Sequence, residues 1–185
     1  MSYQTERKDR IKVNDKYFVK YIDSQQIQNA VDEIAEMIYH DFKEDVPLFL
    51  SVLNGAFIFS SDLMKAYKGR CEISFIRLSS YKGTQSTEEV KTLIGLTEDI
   101  KGRSVVILED IIDSGITVKH LLDDLKKYEP KHLRVASLLF KPEALRTDIK
   151  PEYIGIRIPR DFIVGYGLDY DGFGRNLADI YKIEE

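Results

Sequence analysis

A short stretch in the middle of the sequence combines three acids and two hydroxyl side chains around one glycine. These residues are Glu109, Asp110, Asp113, Ser114, Gly115 and Thr117. The run 105–108 before them is apolar and predicts a buried strand, and the apolar spacing after them predicts a helix. We expect the first two acids to emerge into solvent where the strand ends. Because ligands of open α/β sheets bind at the carboxyl ends of strands, this stretch is a candidate functional site.

The junction between this strand and this helix suits an anion, most simply a phosphate. Gly115 permits a backbone turn that other residues resist, and the first N–H groups of the helix point into the loop. Ser114 and Thr117 add hydroxyl donors, whereas the acids suit sugar hydroxyls, a magnesium ion or proton transfer. The alternative interpretation is a plain helix N-cap at Asp113 or Ser114 behind surface acids. The concentration of acids and hydroxyls favours a functional site.

Length, composition and charge are those of one ordinary globular domain spanning residues 1–185. Hydrophobic residues make up 43% of the chain, charged residues make up 31%, and the net charge is −4. This charge does not attract nucleic acid or an anionic membrane, so local contacts have to hold any phosphate-bearing ligand. We therefore expect neither nucleic acid nor membrane as a partner.

Two features favour a cytoplasmic location. Cys71 is the only cysteine, so no intramolecular disulfide can form, and no Cys/His cluster has the spacing of a zinc site. The first ten residues are polar and charged where a signal peptide has an apolar region, and no apolar run reaches membrane-spanning length.

The order acid-acid-apolar-apolar-Asp-Ser-Gly at 109–115 resembles the phosphoribosyl diphosphate signature of the type I phosphoribosyltransferases, in the form of the hypoxanthine-guanine branch. Further similarity extends from about Leu50 to Arg175. The resemblance implies that these residues bind the phosphoribosyl group: Glu109, Asp110, Asp113, Ser114, Gly115, Ile116 and Thr117. It implies that the loop 113–117 holds the 5′-phosphate and that Asp113 is a general base at purine N7. The two leading acids would hold ribose hydroxyls and help to position magnesium.

The residues after another predicted buried strand, 47–53, resemble the pyrophosphate loop of the same family. That loop is usually Leu-Lys-Gly with a non-proline cis peptide, and the matching positions are Leu53, Asn54 and Gly55. Asn54 replaces the lysine, which leaves a site of backbone N–H groups but removes any salt bridge or subunit contact of the lysine. A plain Asn-Gly turn explains this pair of residues equally well.

Residues 79–92 are polar over a length that is unusual inside a compact domain. The resemblance implies a flexible loop that closes over the reacting centre and excludes water, with Ser80 and Tyr81 as its working pair. A disordered hairpin tip fits the composition equally well.

The resemblance also assigns a purine site to the last third of the chain. Lys141 would donate to the oxygen at purine C6, Phe162 would stack on the base, and Ile163 would offer its carbonyl to the ring edge. Asp169 would serve a second magnesium ion, and Arg175 would contact the pyrophosphate. Lys141 would favour hypoxanthine or guanine over adenine, whose C6 amino group is not an acceptor.

Predicted strands alternate with helical patterns, which favours an α/β fold with a mainly parallel sheet flanked by helices. One such helix begins at a capping box of Asp23 and Gln26 and has an apolar face from Ile27 to Phe42. The runs 71–78 and 93–96 are further strand candidates. The resemblance adds a small hood built from the chain ends.

These observations predict a purine salvage transferase that moves 5-phosphoribosyl from phosphoribosyl diphosphate to N9 of hypoxanthine or guanine. The predicted products are IMP or GMP and pyrophosphate, the cofactor is Mg²⁺, and the family suggests a homodimer or homotetramer. A xanthine-preferring or pyrimidine-using relative would share the phosphate loop. A regulator that binds nucleotide and then RNA is a further alternative, which the acidic net charge disfavours.

Overall fold

The structure, a computed structural model, describes residues 5–7, 9–81, 89–96 and 98–184, with 5–7, 79–81 and 89–94 described by their backbone alone. In chain order its elements are β1 (Thr5–Arg7), β2 (Arg10–Val13), β3 (Lys16–Ile22), α1 (Ser24–Phe42), β4 (Leu48–Leu53), α2 (Phe57–Ala66), β5 (Glu72–Tyr81), β6 (Glu89–Ile94), β7 (Ser104–Ile112), α3 (Ile116–Lys126), β8 (His132–Phe140), a 3₁₀ turn (Pro142–Ala144), β9 (Tyr153–Arg157), β10 (Ile163–Val164) and β11 (Ile180–Ile183).

The larger sheet confirms the predicted parallel architecture. Its strand order is β6-β5-β4-β7-β8-β9, and every neighbouring pair is parallel except β5 with β6. The strands of such a sheet are buried on both faces, which explains runs such as 48–52 and 104–108 without a polar alternation. The two faces carry separate cores, one packed against α1 and α2 and the other against α3.

A second, antiparallel sheet of order β1-β2-β3-β11-β10 confirms the predicted hood. β11, near the end of the chain, pairs with β3 near its start and with β10. The sheet has its own small core of Ile11, Val13, Phe18 and Val164. The sequence did not predict β3, β10 or β11.

Helix α1 forms as the sequence predicts. The Asp23 side chain accepts a bond from the Gln26 N–H at 2.8 Å, and the Gln26 side chain accepts from the Asp23 N–H at 3.1 Å. A capping box of this kind is worth about 1 kcal/mol. The predicted apolar face from Ile27 to Phe42 is buried against the sheet.

Two strand predictions need correction. The acids Glu109 and Asp110 were expected to leave the sheet, but β7 continues through them to Ile112 because its pairing with β8 extends that far. The strand expected at 93–96 is instead β6, which ends at Ile94.

None of the helices in the described part of the chain is long and apolar enough to cross a membrane.

Candidate active site

The central crevice of the larger sheet lies between β4 and β7. The connection from β4 leads through α2 to β5 on one side, whereas the connection from β7 leads through α3 to β8 on the other. Ligands of open α/β sheets bind at such a reversal of strand order. The β4–β7 pairing ends at Ser51 and Leu108, so the two chains separate beyond these residues. A cavity of about 260 Å³ lies there, with Leu53, Glu109, Asp113, Ser114, Gly115 and Thr117 among its lining residues.

The segment that follows β4 has the backbone expected of the pyrophosphate loop. The Leu53–Asn54 peptide bond is cis, as the resemblance predicted. Asn54 is exposed, and its carbonyl accepts a long bond of 3.5 Å from the N–H of Phe57, the first residue of α2. The loop and α2 therefore form one continuous unit beside the crevice.

Gly55 and Gly167 allow three backbone segments to meet at this crevice. A Cβ atom on Gly55 would overlap the carboxylate of Asp110. A Cβ atom on Gly167, whose φ is +98°, would overlap the carbonyl oxygen of Gly55. Gly167 requires glycine, because the loop 53–55 and the predicted purine-binding segment, residues 162–169, approach closer than a side chain permits. At position 55 a side chain would have to displace the Asp110 carboxylate.

The paired acids of β7 lie in a poorly solvated environment. Glu109 is only 6% exposed, and burial together with the Asp110 charge raises its pKa well above the ordinary value. Burial also raises the pKa of Asp110 to about 6, although the Ile111 N–H and the positive charge of Arg175 act in the opposite direction. These carboxyls are therefore poised to bind a cation or ligand hydroxyls.

Magnesium is compatible with these acids if the ligand supplies further oxygens. Within the described residues, no group of three or more His, Cys, Asp or Glu side chains could hold a metal. Mg²⁺ typically binds through one or two carboxylates together with water and substrate phosphates. Glu109, Asp110 and Asp169 are oxygen donors of the required kind, and a nearby cation would favour their ionised forms.

The predicted phosphate loop leads directly into the open amino end of α3. The N-cap residue is Gly115, with φ +77°, and no side chain caps the helix. The only nearby side-chain bond described is a long one of 3.4 Å from the Ile116 N–H to the Ser114 hydroxyl. A plain N-cap at Asp113 or Ser114 is therefore wrong. Thr117, in the first turn, is exposed, so the loop offers hydroxyls and helix N–H groups to an anion.

Two predicted residues that directly follow two neighbouring strands are in contact. The Lys141 ammonium, at the end of β8, lies 2.8 Å from a carboxylate oxygen of Asp113. The lysine side chain is 8% exposed and the aspartate side chain 56% exposed. The site therefore presents an accessible carboxylate beside a buried ammonium, which pairs a proton acceptor with a hydrogen-bond donor.

The predicted stacking residue, Phe162, presents a partly free ring. The residue is 45% exposed, and its ring lies 5.7 Å from the ring of Tyr170 and 6.2 Å from that of Phe18. These neighbours hold the ring while leaving area for a base. Ile163, in β10, has a buried side chain, so only its backbone is available to a ligand.

Asp169 and Arg175 contact each other. The Arg175 guanidinium lies 2.6 Å from an Asp169 carboxylate oxygen and donates a 2.6 Å bond to the Gly167 carbonyl. The second oxygen of Asp169 accepts from the Gly172 N–H at 2.7 Å. Both charges act on Asp110, which locates the pair beside the acids of β7.

The predicted working pair of the flexible loop, Ser80 and Tyr81, lies within the described residues by its backbone alone. The backbone of Ser80 and Tyr81 lies at the end of β5, paired with β6, rather than in a loop. Their side chains and residues 82–88 lie outside the described residues. The predicted closure over the reacting centre therefore stays a prediction.

One contact near the site was not predicted. The Tyr166 hydroxyl donates a 2.6 Å bond to the Asp62 carboxylate of α2, a partner 104 positions away. No local pattern signals a bond over this separation; only the apolar setting of Tyr166 between two glycines could have drawn attention to it.

The chain is similar to known phosphoribosyltransferases over most of its length. The pattern that defines the phosphoribosyl transferase domain matches residues 20–171. The hypoxanthine-guanine phosphoribosyltransferase of Mycobacterium tuberculosis is 40% identical over 169 residues, covering 87% of this chain and 83% of that protein. The Bacillus subtilis enzyme of the same name is 38% identical over 160 residues, covering 86% of this chain and 89% of that protein.

A solved structure extends this similarity to three dimensions. The crystal structure of a hypoxanthine-guanine phosphoribosyltransferase from Bacillus anthracis, with a HEPES molecule in its active site, aligns with a TM-score of 0.85 at 40% identity. The alignment covers 89% of this chain and 98% of that chain. Sequence and fold thus agree over nearly the whole molecule, and the chain belongs to the phosphoribosyltransferase family, in its hypoxanthine-guanine branch.

Proposed function

We propose that this chain transfers 5-phosphoribosyl from phosphoribosyl diphosphate to N9 of hypoxanthine or guanine, giving IMP or GMP and pyrophosphate in purine salvage. The observation that carries the proposal is the contact of Lys141 with Asp113 beside the open end of α3. It combines a purine-recognising donor, a proton acceptor and a phosphate site in one crevice.

On the base side, the Lys141 ammonium supplies a donor for the oxygen at purine C6. Adenine has an amino group at that position, so it would place donor against donor and offer the lysine no acceptor. Asp113 accepts the N7 proton as N9 attacks C1′ of the ribose and the bond from C1′ to pyrophosphate breaks. Phe162 stacks on the base, and the Ile163 carbonyl accepts from the ring edge.

On the phosphoribosyl side, the 5′-phosphate binds to the loop 113–117, where the helix dipole and free N–H groups favour an anion. Glu109 and Asp110 accept bonds from the ribose hydroxyls, and the loop 53–55 holds the diphosphate. The Arg175 guanidinium contacts the pyrophosphate. Closure of the segment that contains Ser80 and Tyr81 excludes water from the reacting centre.

Mg²⁺ is the proposed cofactor. Glu109 and Asp110 would help to position one ion, and Asp169 would serve a second ion that binds with the pyrophosphate. When bound, magnesium neutralises negative charge that develops on the leaving pyrophosphate. The raised pKa values of the β7 acids support this proposal, since a cation compensates for their burial.

We further propose a homodimer or homotetramer in the cytoplasm. Exposed apolar rings are candidates for the contact between subunits, and Phe57 at the start of α2 and Phe75 in β5 are 44% and 42% exposed. Cys71 is a free, half-buried thiol, which fits a reducing compartment. Light scattering coupled to gel filtration gives the oligomeric state; a monomer at micromolar concentration would contradict the dimer.

A magnesium-dependent assay tests the reaction. Purified protein is mixed with phosphoribosyl diphosphate and hypoxanthine, and IMP and pyrophosphate are measured together. We expect equal amounts of both products with Mg²⁺ and none after chelation with EDTA. No IMP at excess Mg²⁺ would overturn the proposed function, whereas full activity after chelation would overturn only the proposed cofactor.

A further inference from the structure

The proposed purine-binding segment, residues 162–169, is joined to α2 by a part-buried hydrogen bond. Tyr166 is 7% exposed, and its hydroxyl donates to one oxygen of Asp62 at 2.6 Å. The other oxygen of Asp62 lies 2.5 Å from the Lys65 ammonium. Burial and the bond to Asp62 raise the pKa of Tyr166, so the hydroxyl remains a donor at neutral pH. The carboxylate is thus held from both sides.

The backbone at Tyr166 is held tightly as well. Its φ is +49°, a conformation that bulky residues rarely adopt unless the surrounding structure imposes it. The neighbouring glycines leave no room for movement, since a Cβ atom on Gly165 would overlap the Asp179 carbonyl and one on Gly167 would overlap the Gly55 carbonyl. The segment is therefore packed closely between Asp179, just before β11, and Gly55 in the loop 53–55.

Two contacts join this segment to one structural unit. Tyr166 bonds to Asp62 in the middle of α2, and Gly167 packs on Gly55, which lies just before α2. A single contact allows two segments to pivot about it, whereas two separated contacts fix both their distance and their relative angle. The Tyr166–Asp62 bond is the one that a point substitution can remove without altering the backbone.

This geometry matters for the reaction because the two segments hold the two reacting atoms. Phe162 and Ile163 place the base and its N9 atom, and the loop 53–55 holds the diphosphate that leaves C1′. The N9 to C1′ distance therefore depends on how these segments are positioned relative to each other. Misplacement of reacting atoms by about 1 Å can cost roughly 100-fold in rate.

We infer that Tyr166 is a positioning residue, which through its bond to Asp62 sets the base at the right distance from the phosphoribosyl carbon. The inference rests on the proposed function. The hydroxyl is bonded to Asp62 rather than free for a ligand, so its loss should slow the chemical step more than it weakens the binding of either substrate.

The variant Tyr166→Phe tests this inference because it keeps the ring and removes only the hydroxyl. A matched control exists in Tyr153→Phe, since Tyr153 is 3% exposed and donates a 2.7 Å bond to Asp41 on α1, away from the crevice. Both variants remove the hydroxyl of a buried tyrosine from a part-buried bond to an aspartate, so a fall in Tm is expected for each. Only the first changes a contact between substrate-binding segments.

The readout is the single-turnover rate of IMP formation by rapid quench, together with KM for each substrate. We expect Tyr166→Phe to slow the single-turnover rate ~10-fold while both KM values stay within ~3-fold. Tyr153→Phe should stay within about twofold of the native rate. Asp62→Ala should be as slow as Tyr166→Phe, the double variant no slower, and Asp62→Asn, which keeps an acceptor, close to native.

Two results would overturn the inference alone: a native-like rate in Tyr166→Phe, or an equal loss of rate in Tyr153→Phe. A native protein that forms no IMP would overturn the proposed function, and the inference with it. The activity of the native protein therefore distinguishes the two failures.

Discussion

Lys141 and Asp113 form the ion pair that most directly links this structure to purine chemistry. Their charged atoms are 2.8 Å apart, and the exposed carboxylate faces solvent while the ammonium is buried. The pair keeps the buried ammonium compensated before a ligand arrives, since an unpaired buried charge is costly. A 6-oxopurine can then take over part of this role by accepting from the lysine while it donates to the aspartate.

Asp113→Asn should lower kcat ~100-fold or more, because the amide keeps the size of the side chain but cannot take the N7 proton. Binding of phosphoribosyl diphosphate should change by less than ~3-fold, as measured by calorimetric titration. Asp148→Asn is the control, since the Asp148 side chain is 86% exposed and outside the proposed site. An unchanged kcat for the Asp113 variant would remove that residue from catalysis.

Asp110→Asn should stabilise the protein at pH 7.5 while abolishing activity. Burial raises the pKa of Asp110 from 3.8 to about 6, so the folded state binds a proton more readily than the unfolded state. The free energy of unfolding therefore falls as pH rises from 3.8 to about 6, and the substitution removes this loss. Because the residue is partly exposed, we expect a gain of about 1–2 kcal/mol at pH 7.5.

Urea denaturation at several pH values measures this effect. The difference in the free energy of unfolding between variant and native protein should shrink as pH falls from 6 to 4, because the native carboxyl becomes protonated. Asp124→Asn on the surface of α3 provides a control for the same substitution at an exposed site outside the crevice. Destabilisation by Asp110→Asn at pH 7.5 would contradict the conclusion that burial disfavours the ionised form of Asp110.

Sequence reasoning at the residue scale predicted the local backbone correctly where the residues are consecutive. Gly115 and the start of α3 follow each other in the chain, so local turn and helix rules predict the glycine turn and the open end of the helix. Lys141 could be assigned only through resemblance, because a lysine after an apolar strand is usually solvated. The Tyr166–Asp62 bond was missed because nothing local encodes a partner in another element.

At the scale of elements, the site forms because β7 extends beyond the end of its pairing with β4. The two strands pair only as far as Ser51 and Leu108, while β7 continues beside β8 to Ile112. Apolar periodicity predicted the existence of these strands. It did not predict the end of β7, because acids inside a strand resemble a strand end until the pairing of the neighbouring strands is known.

The opposite end of the sheet is stabilised by Asp45. Its carboxylate accepts bonds from the Ser104 hydroxyl at the start of β7, from the Val46 N–H and from Lys131 before β8. These contacts lower its pKa to about 2, with the Ser104 bond the largest cause. The stabilisation is therefore present above pH 3.8 and is lost as pH falls through about 2.

Asp45→Asn should lower the free energy of unfolding by about 1 kcal/mol at pH 7, and the loss should fade as pH drops below 3.8. Urea denaturation between pH 7 and pH 3 measures it. The kcat should be unchanged, because Asp45 lies at the amino ends of the strands and the site at their carboxyl ends. A large loss of kcat would show that the two ends are coupled.

At the scale of the whole molecule, the two ends of the chain complete the site. β11 pairs with both β3 and β10, and β10 lies at the start of the proposed purine-binding segment. Short strands with charged residues, such as Lys16–Ile22, give a weak local signal, and their partners lie at the far end of the sequence. The parallel sheet could thus be predicted from apolar runs, whereas the hood required resemblance.

Because the net charge is −4, phosphate has to be bound by local groups rather than attracted by the overall electrostatic field of the molecule. The open end of α3, the loop 53–55 and the Lys141 ammonium lie in one crevice, although the surface as a whole is acidic. Binding should therefore depend on these groups and on Mg²⁺ more than on long-range attraction of the polyanionic substrate.

A competition among bases tests the central claim most directly. Hypoxanthine, guanine, xanthine, adenine and uracil are supplied at equal concentrations with Mg²⁺ and a limiting amount of phosphoribosyl diphosphate, and the nucleotide products are separated and counted. The account predicts IMP and GMP as the main products, because Lys141 and Asp113 recognise a 6-oxopurine. AMP or UMP as the main product, or no nucleotide at all, would contradict it.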